Sequence, residues 1–251
     1  MASLNPPPGT AYRYYHAGSP LFTRDNIQDL EDQINRNDPT FKYQTIDNGV
    51  IEAINIVYTN ADKRRHQNKK LTIGLEDYRT VTSEHRRPQN HPGSALTEAP
   101  LFVNLEEVRD ELDYNYDTAA QAFRDSLDNW RQNAKCAALE SYISKLDLPP
   151  NTCRLHSSRE QHAAALTIAG VLKRKLGAPI EIIVQDPVYS TVGKAVLTDH
   201  GMKPVDGVGG KAFLDIDSRT FVFTVFPEIP IRQIVADLAR PAGMFWHRYN
   251  G

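Results

Sequence analysis

Cysteine is nearly absent from this chain. Cys136 and Cys153 are the only two in 251 residues. Two are too few for a disulfide framework or a cysteine-based zinc site. Long apolar runs are missing as well, and none approaches the roughly 18 to 20 residues of a membrane-spanning helix. The opening MASLNPPPGTAYRYYH holds no apolar signal core, and no N-x-[ST] glycosylation acceptor occurs. Charge of one sign is not in excess: 29 Lys and Arg against 31 Asp and Glu leave a net charge of -2. No global basic field therefore points to nucleic acid. No internal repeat is found. The expectation is a soluble protein in a reducing cytoplasmic or nuclear setting, without membrane attachment. With 40% hydrophobic and 24% charged residues the composition is that of an ordinary globular protein. The length suits one large domain, or one domain with an extension.

The two parts of the chain differ in pattern. Residues 1–103 read as a polar, partly irregular N-terminal extension. Pro6-Pro7-Pro8 reads as an unstructured lead-in. A helix is expected from Thr23 or Asp25 to Ile34, with Ile27, Leu30 and Ile34 on one face. A strand is expected at Val50 to Tyr58. Residues 104–251 are more regular. Asn104 with Glu107 matches a capping box. A long helix is expected from about Asp117 to Leu146, its stripe of Ala120, Phe123, Leu127, Trp130 and Ala134 facing a core, so Phe123 and Trp130 should be buried. Ser158 with Gln161 opens a second helix that stops at Gly177. Strand Ile180 to Val184, helix Thr191 to His200 and strand Lys203 to Val205 follow. Beyond them come strand Thr220 to Phe226, helix Pro230 to Leu238 and a last strand, Met244 to Trp246. Strands alternating with helices imply a mostly parallel sheet with right-handed crossovers, a Rossmann-like three-layer α/β domain. The strands at Ile180 and Thr220 should be adjacent or near neighbours in it.

Ile180 to Gly201, IEIIVQDPVYSTVGKAVLTDHG, is the stretch that says most about function. A buried strand ends in Gln185-Asp186-Pro187, and a helix follows. A carboxylate at the carboxyl end of such a strand is how open α/β sheets build a ligand crevice. Asp186 can bind a ribose or another polar substrate there, or cap the helix that follows. Tyr189 can line the same crevice, or pack in the core or at the rim. Gln161 and His162 open the preceding helix. His162 has the chemistry of an acid/base group near neutral pH, and also that of a structural hydrogen-bonder. His156 and His162 are not spaced for one helical face, so no metal site is expected. Glu228 follows the Thr220 strand and belongs to the same edge as Asp186, either for acid/base work or as a solvated charge. Asp206, with the glycines after it, reads as a ligand loop or a plain turn. Lys63, Arg64, Arg65, Lys69 and Lys70, with Arg86 and Arg87, can contact nucleic acid or another acidic partner, or merely be solvated. Aromatic residues are not interleaved with them, which argues against single-strand stacking.

Four blocks in order, QHAAALTIAGVL, QDPVYSTVGKAVL, VFTVFPEIPIRQIVADLARPAG and the closing Trp246, resemble the "sensitivity to red light reduced" (SRR-like) domain, most closely its fungal branch. GSPLFTRDNI, Gly18 to Ile27, is similar to the fungal extension. The resemblance implies a Rossmann-like fold. It also implies a regulatory role: light and clock signalling in plants, haem-related or cytoskeletal regulation elsewhere. It implies no settled chemistry and assigns no cofactor. The competing reading is an enzyme that uses the carboxyl-edge crevice. Its reaction would be tRNA-dependent formation of arginine cyclodipeptides, or one dependent on a nucleotide or S-adenosylmethionine. The DD-x-x-E motif of the cyclodipeptide formers is not evident. Its closest slot, Asp206-Gly207-Val208-Gly209-Gly210, lacks the second Asp and the Glu. Fungal relatives also often carry an acidic residue where this chain has Gly193. Family members place a strand and a glycine-containing turn just before the QH helix. Here the slot reads DLPPNTCRLHSSRE, Asp147 to Glu160. It has no glycine, and Pro149 and Pro150 remove two ladder donors. Asp147 to Ser158 is therefore expected to be a loop or irregular segment, and affinity for ATP, NAD or S-adenosylmethionine to be weak.

Overall fold

Thr23 starts a helix by a cap that its sequence announces. Its side chain accepts from the Asn26 N–H, Asp25 sits in the first turn, and Asn37 closes the helix in the left-handed region at φ 54. The protein was analysed as a computed structural model that describes residues 13, 16–46, 48–65, 69–78, 81, 99–107, 115–157, 162–186, 189–224 and 229–246. They fall into two units: Met1–Glu107 with Glu228–Leu238, and Val108–Pro227 with Ala239–Gly251. Gln161, Glu228, Arg86, Arg87 and the Ser158 capping box lie outside the described residues.

In the first unit, helix α1 (Arg24–Arg36) buries Ile27, Leu30 and Ile34, the expected face. Strands β1 (Thr40–Gln44) and β2 (Val50–Ile54) form one antiparallel hairpin, and α2 (Asn60–Arg65) follows. Strands β3 (Lys69–Leu75) and β4 (Leu101–Glu107) form a second antiparallel pair. Asn104 and Glu107 thus lie on a strand and form no capping box. Leu101, Val103 and Leu105 alternate along it, and that period of two prevails over the cap signal. Gly74 faces Phe102 across this pair, and a Cβ there would stand 2.3 Å from the ring. Late in the chain, α8 (Ile231–Leu238) joins this unit. Asp237 accepts the backbone N–H groups of Leu21 at 2.9 Å and Phe22 at 3.2 Å.

The second unit holds the parallel sheet. The expected long helix is two helices, α3 (Tyr116–Gln132) and α4 (Ala134–Lys145), broken at Asn133. Asn133 is extended, at φ -80 and ψ 133, and its side chain caps α4 by accepting from Lys135 N. Asparagine competes with the helix for backbone hydrogen bonds, so a break at this residue has a local cause. The stripe holds as far as Trp130 but leaves Ala134 exposed. Phe123 and Trp130 are half-buried against the core, where full burial was expected, and Trp130 Nε1 donates to Thr167 Oγ1 at 2.9 Å.

The sheet is built from β5 (Arg154–Ser157), β6 (Glu181–Val184), β7 (Met202–Pro204), β8 (Thr220–Thr224) and β9 (Gly243–Trp246). Its order is β7-β6-β5-β8-β9, with every pair parallel. Helices α5 (His162–Leu176), α6 (Thr191–Asp199) and the short α7 (Lys211–Leu214) connect the strands. This is the Rossmann-like α/β arrangement, with β6 and β8 in one parallel sheet on either side of β5. All five residues of β8 are buried, as expected of a strand covered on both faces.

The expectation for Asp147 to Ser158 is overturned. Arg154–Ser157 is a strand, and it is the central one. Pro149 and Pro150 stand ahead of it, where Thr152 N–H and Oγ1 both close onto Pro149 O, at 3.0 and 2.7 Å. They shape the turn into the strand and take no donor from the ladder. Leu155 is fully buried between Ile182 and Phe221. A single apolar residue suffices because the neighbouring strands supply the rest of the core.

Arg154, at the amino end of β5, lies 3.6 Å from Glu181 and 3.2 Å from Asp217. Lys203 adds a contact to Glu181 at 3.1 Å, and Arg219 one to Asp217 at 2.9 Å. Among the described residues no helix is long and apolar enough to cross a membrane.

Candidate functional site

Beside the central strand the chain runs outward in both directions, through β6 to β7 on one side and through β8 to β9 on the other. Ligands of open parallel sheets bind beyond the carboxyl ends of the strands where the order reverses in this way. His162 opens α5, the helix after β5. Asp186 stands two residues past β6. The backbone then turns, with Tyr189 N–H donating to Asp186 O at 3.1 Å. Ser190 caps α6 by accepting from Gly193 N at 2.9 Å. At this position a glycine meets only the capping hydroxyl, 3.3 Å from a would-be Cβ.

This geometry brings together three of the expected residues. His162 Nε2 and Tyr189 Oη are hydrogen-bonded at 2.7 Å, and their rings are 5.7 Å apart. Burial pushes the His162 imidazole below its ordinary pKa, while the negative charge of Asp186 works the other way. All three residues are half-buried. Phe123 extends the row of rings: it lies 6.2 Å from His162 and 4.5 Å, edge on, from His200. The sequence marks Phe123 only as a core residue, and nothing in its helical stripe signals a place beside His162. Gln185 is a second residue that pattern alone did not single out. Its Oε1 accepts from Ala212 N at 2.8 Å and ties α7 to the end of β6.

Asp206 stands two residues past β7, on the same carboxyl edge. It pairs with Lys194 at 2.7 Å and is 83% exposed, and the Lys194 hydrogen bond holds its carboxyl below the usual range. Gly207 and Gly209 after it take φ of 155 and 116, so that segment is a glycine turn. Lys63, Arg64 and Arg65 are exposed on α2, while Lys69 and Lys70 face Glu107 and Glu106 across the β3–β4 pair. Among the described residues no group of three or more His, Cys, Asp or Glu could hold a metal ion.

Residues 131–247 match the model of the SRR1 domain. The match supports an SRR-like domain in this part of the chain. It takes in every strand of the parallel sheet and His162, Asp186 and Tyr189, and it leaves out Phe123. No curated protein matches the chain. Within the matched residues an imidazole, a phenol and a carboxylate lie at the carboxyl edge. Their groups can accept and donate hydrogen bonds, and an imidazole can exchange a proton.

Proposed function

We propose that this chain is a regulatory SRR-like domain protein that works through a ligand or partner bound at the carboxyl edge of its sheet. Its binding part is residues 104–251, which follow an N-terminal extension, and it belongs with the fungal branch in the cytoplasm or nucleus. The observation that carries the reading is the His162–Tyr189 hydrogen bond of 2.7 Å beside Asp186. The start of α5 and the segment after β6 come together there. The fungal likeness of Gly18 to Ile27 supports the placement in that branch.

A second reading, an enzyme using the same crevice, is favoured by one feature. A buried imidazole whose pKa is lowered and which bonds to a phenol is equipment for proton transfer. One pair of variants separates the readings in a deletion strain. Asp186→Asn keeps size and most hydrogen bonding but removes charge, so it should spare the melting temperature and abolish complementation. His162→Gln keeps a hydrogen-bonding partner for Tyr189 but cannot act as a base. If it complements, the regulatory reading holds. If it fails while still folded, the enzyme reading takes over. An Asp186→Asn protein that folds and complements fully removes Asp186 from the site.

A further inference from the structure

We propose that the carboxyl-edge cluster binds a nucleoside, with the Asp186 carboxylate accepting the ribose hydroxyls and the ring row of Phe123, His162 and Tyr189 receiving the base. This deepens the ligand-binding reading above and rests on it. Three observations point to that ligand class. Asp186 follows β6, the strand next to the first strand of a parallel sheet whose order reverses there. At this position of a doubly wound sheet, a carboxylate meets two adjacent hydroxyls with two acceptor oxygens. Phe123, His162 and Tyr189 form a continuous row with ring centroids 6.2 and 5.7 Å apart, each ring half-buried and so retaining an open part. The His162–Tyr189 bond holds two of the three in place, and flat rings stack on a base of any identity.

The third observation limits the ligand to one without a diphosphate. Between Ser157 and His162 the sequence is Ser158-Arg159-Glu160-Gln161, with no glycine and with a carboxylate beside the lone cation. Pyrophosphate binding after the first strand relies on glycines that let the backbone N–H groups approach. The cation in the first turn of α6, Lys194, is engaged by Asp206 at 2.7 Å. The presence of β5 restores the strand that such a site needs, and the sequence after it lacks the glycines of a phosphate cradle. The class is a nucleoside or a phosphate-free nucleoside derivative.

The test uses the full chain, with the His162 imidazole resonances followed by NMR and affinity measured by calorimetry. The probes are adenosine, guanosine, cytidine, uridine, 2′-deoxyadenosine and adenosine diphosphate. At least one ribonucleoside should move the His162 resonances. If that is adenosine, loss of the 2′-hydroxyl should weaken binding by about tenfold or more, the weight of one hydrogen bond to a charged group. Adenosine diphosphate should bind no tighter than adenosine. Asp186→Asn should weaken the ribonucleoside by more than its deoxy form, which keeps only one of the two hydroxyls. The comparison on the unaltered protein stands even if that variant fails to fold. Equal affinity for ribo- and deoxynucleoside, or clearly tighter binding of the diphosphate, overturns the proposal. If non-nucleoside fragments move His162 and no nucleoside does, the ligand site stands and the nucleoside proposal falls. If nothing moves His162 and Asp186→Asn still complements, both fall.

Discussion

Gln33 and Lys42 are joined as if the side chain of one were a strand paired with the other. Gln33 Oε1 accepts from Lys42 N at 2.6 Å, and Gln33 Nε2 donates to Lys42 O at 3.0 Å. Gln33 is 4% exposed on the buried side of α1, so the pair fastens helix to hairpin out of reach of water. Gln33→Glu keeps the shape but sets a carboxylate oxygen against a carbonyl. It should cost about 1 to 3 kcal/mol in urea denaturation, the penalty of unmet buried polar groups. A midpoint equal to that of the unaltered protein would show the clamp to be dispensable.

Gly74 should tolerate no side chain while Phe102 is opposite. A Cβ at this position would lie 2.3 Å from Phe102 Cζ. Gly74→Ala should destabilise by about 1 to 3 kcal/mol, the usual cost of overpacking. Combined with Phe102→Ala, the two losses should fall short of their sum by a coupling energy of roughly 0.5 kcal/mol or more. Strict additivity in a double-mutant cycle would mean that the ring does not occupy that space.

Stability should depend on pH through His162. Its pKa in the folded protein is lowered, chiefly by burial, so the unfolded chain takes up the proton first as pH falls. The contribution is therefore complete above the ordinary imidazole value. It is lost on acidification through the window down to the lowered folded value. Urea midpoints between about pH 8 and about pH 5 should fall less steeply in His162→Gln, because imidazole titrates in that range. Asp186→Asn should steepen the fall, since the opposing carboxylate charge is gone. Parallel profiles for all three proteins would place His162 in a more open setting.

Asp217 titrates in the opposite sense of charge. Burial raises its pKa, but hydrogen bonds from the Arg219 side chain and backbone and from Thr220 outweigh that and hold it below the usual range. The stabilisation is present above the unfolded carboxylate value and is lost as pH falls through the lowered one. Its side chain is 34% exposed, so solvent screening keeps the ion pairs with Arg154 and Arg219 weak. Asp217→Asn should be destabilising at neutral pH, and that loss should shrink as pH falls through the carboxylate range. A loss that persists at low pH would assign the effect to packing near Thr220.

Much of the fold is legible locally. Thr23 and Ser190 cap their helices, and Asn37 and Gly177 end theirs at φ 54 and 68. The apolar runs before Gln185 and at Phe221 are strands. The signals that misled were local too. Asn104 and Glu107 fit a cap, but the alternation of Leu101, Val103 and Leu105 paired that segment with β3. The helical stripe through Trp130 concealed the break that Asn133 makes by capping the next helix.

By itself the sequence determined the alternation of strands and helices, the parallel sheet and the edge on which Asp186 stands. Each depends on periods and caps that act within a few residues. Only the tertiary structure decided that Arg154–Ser157 is the central strand, because its one buried leucine gains its neighbours from β6 and β8. It alone decided that His162 and Tyr189, 27 residues apart, share a hydrogen bond beside Asp186. No periodicity encodes that contact. It arises because α5 carries the chain back to the amino edge and β6 returns it to the carboxyl edge, where the ends of successive strands meet.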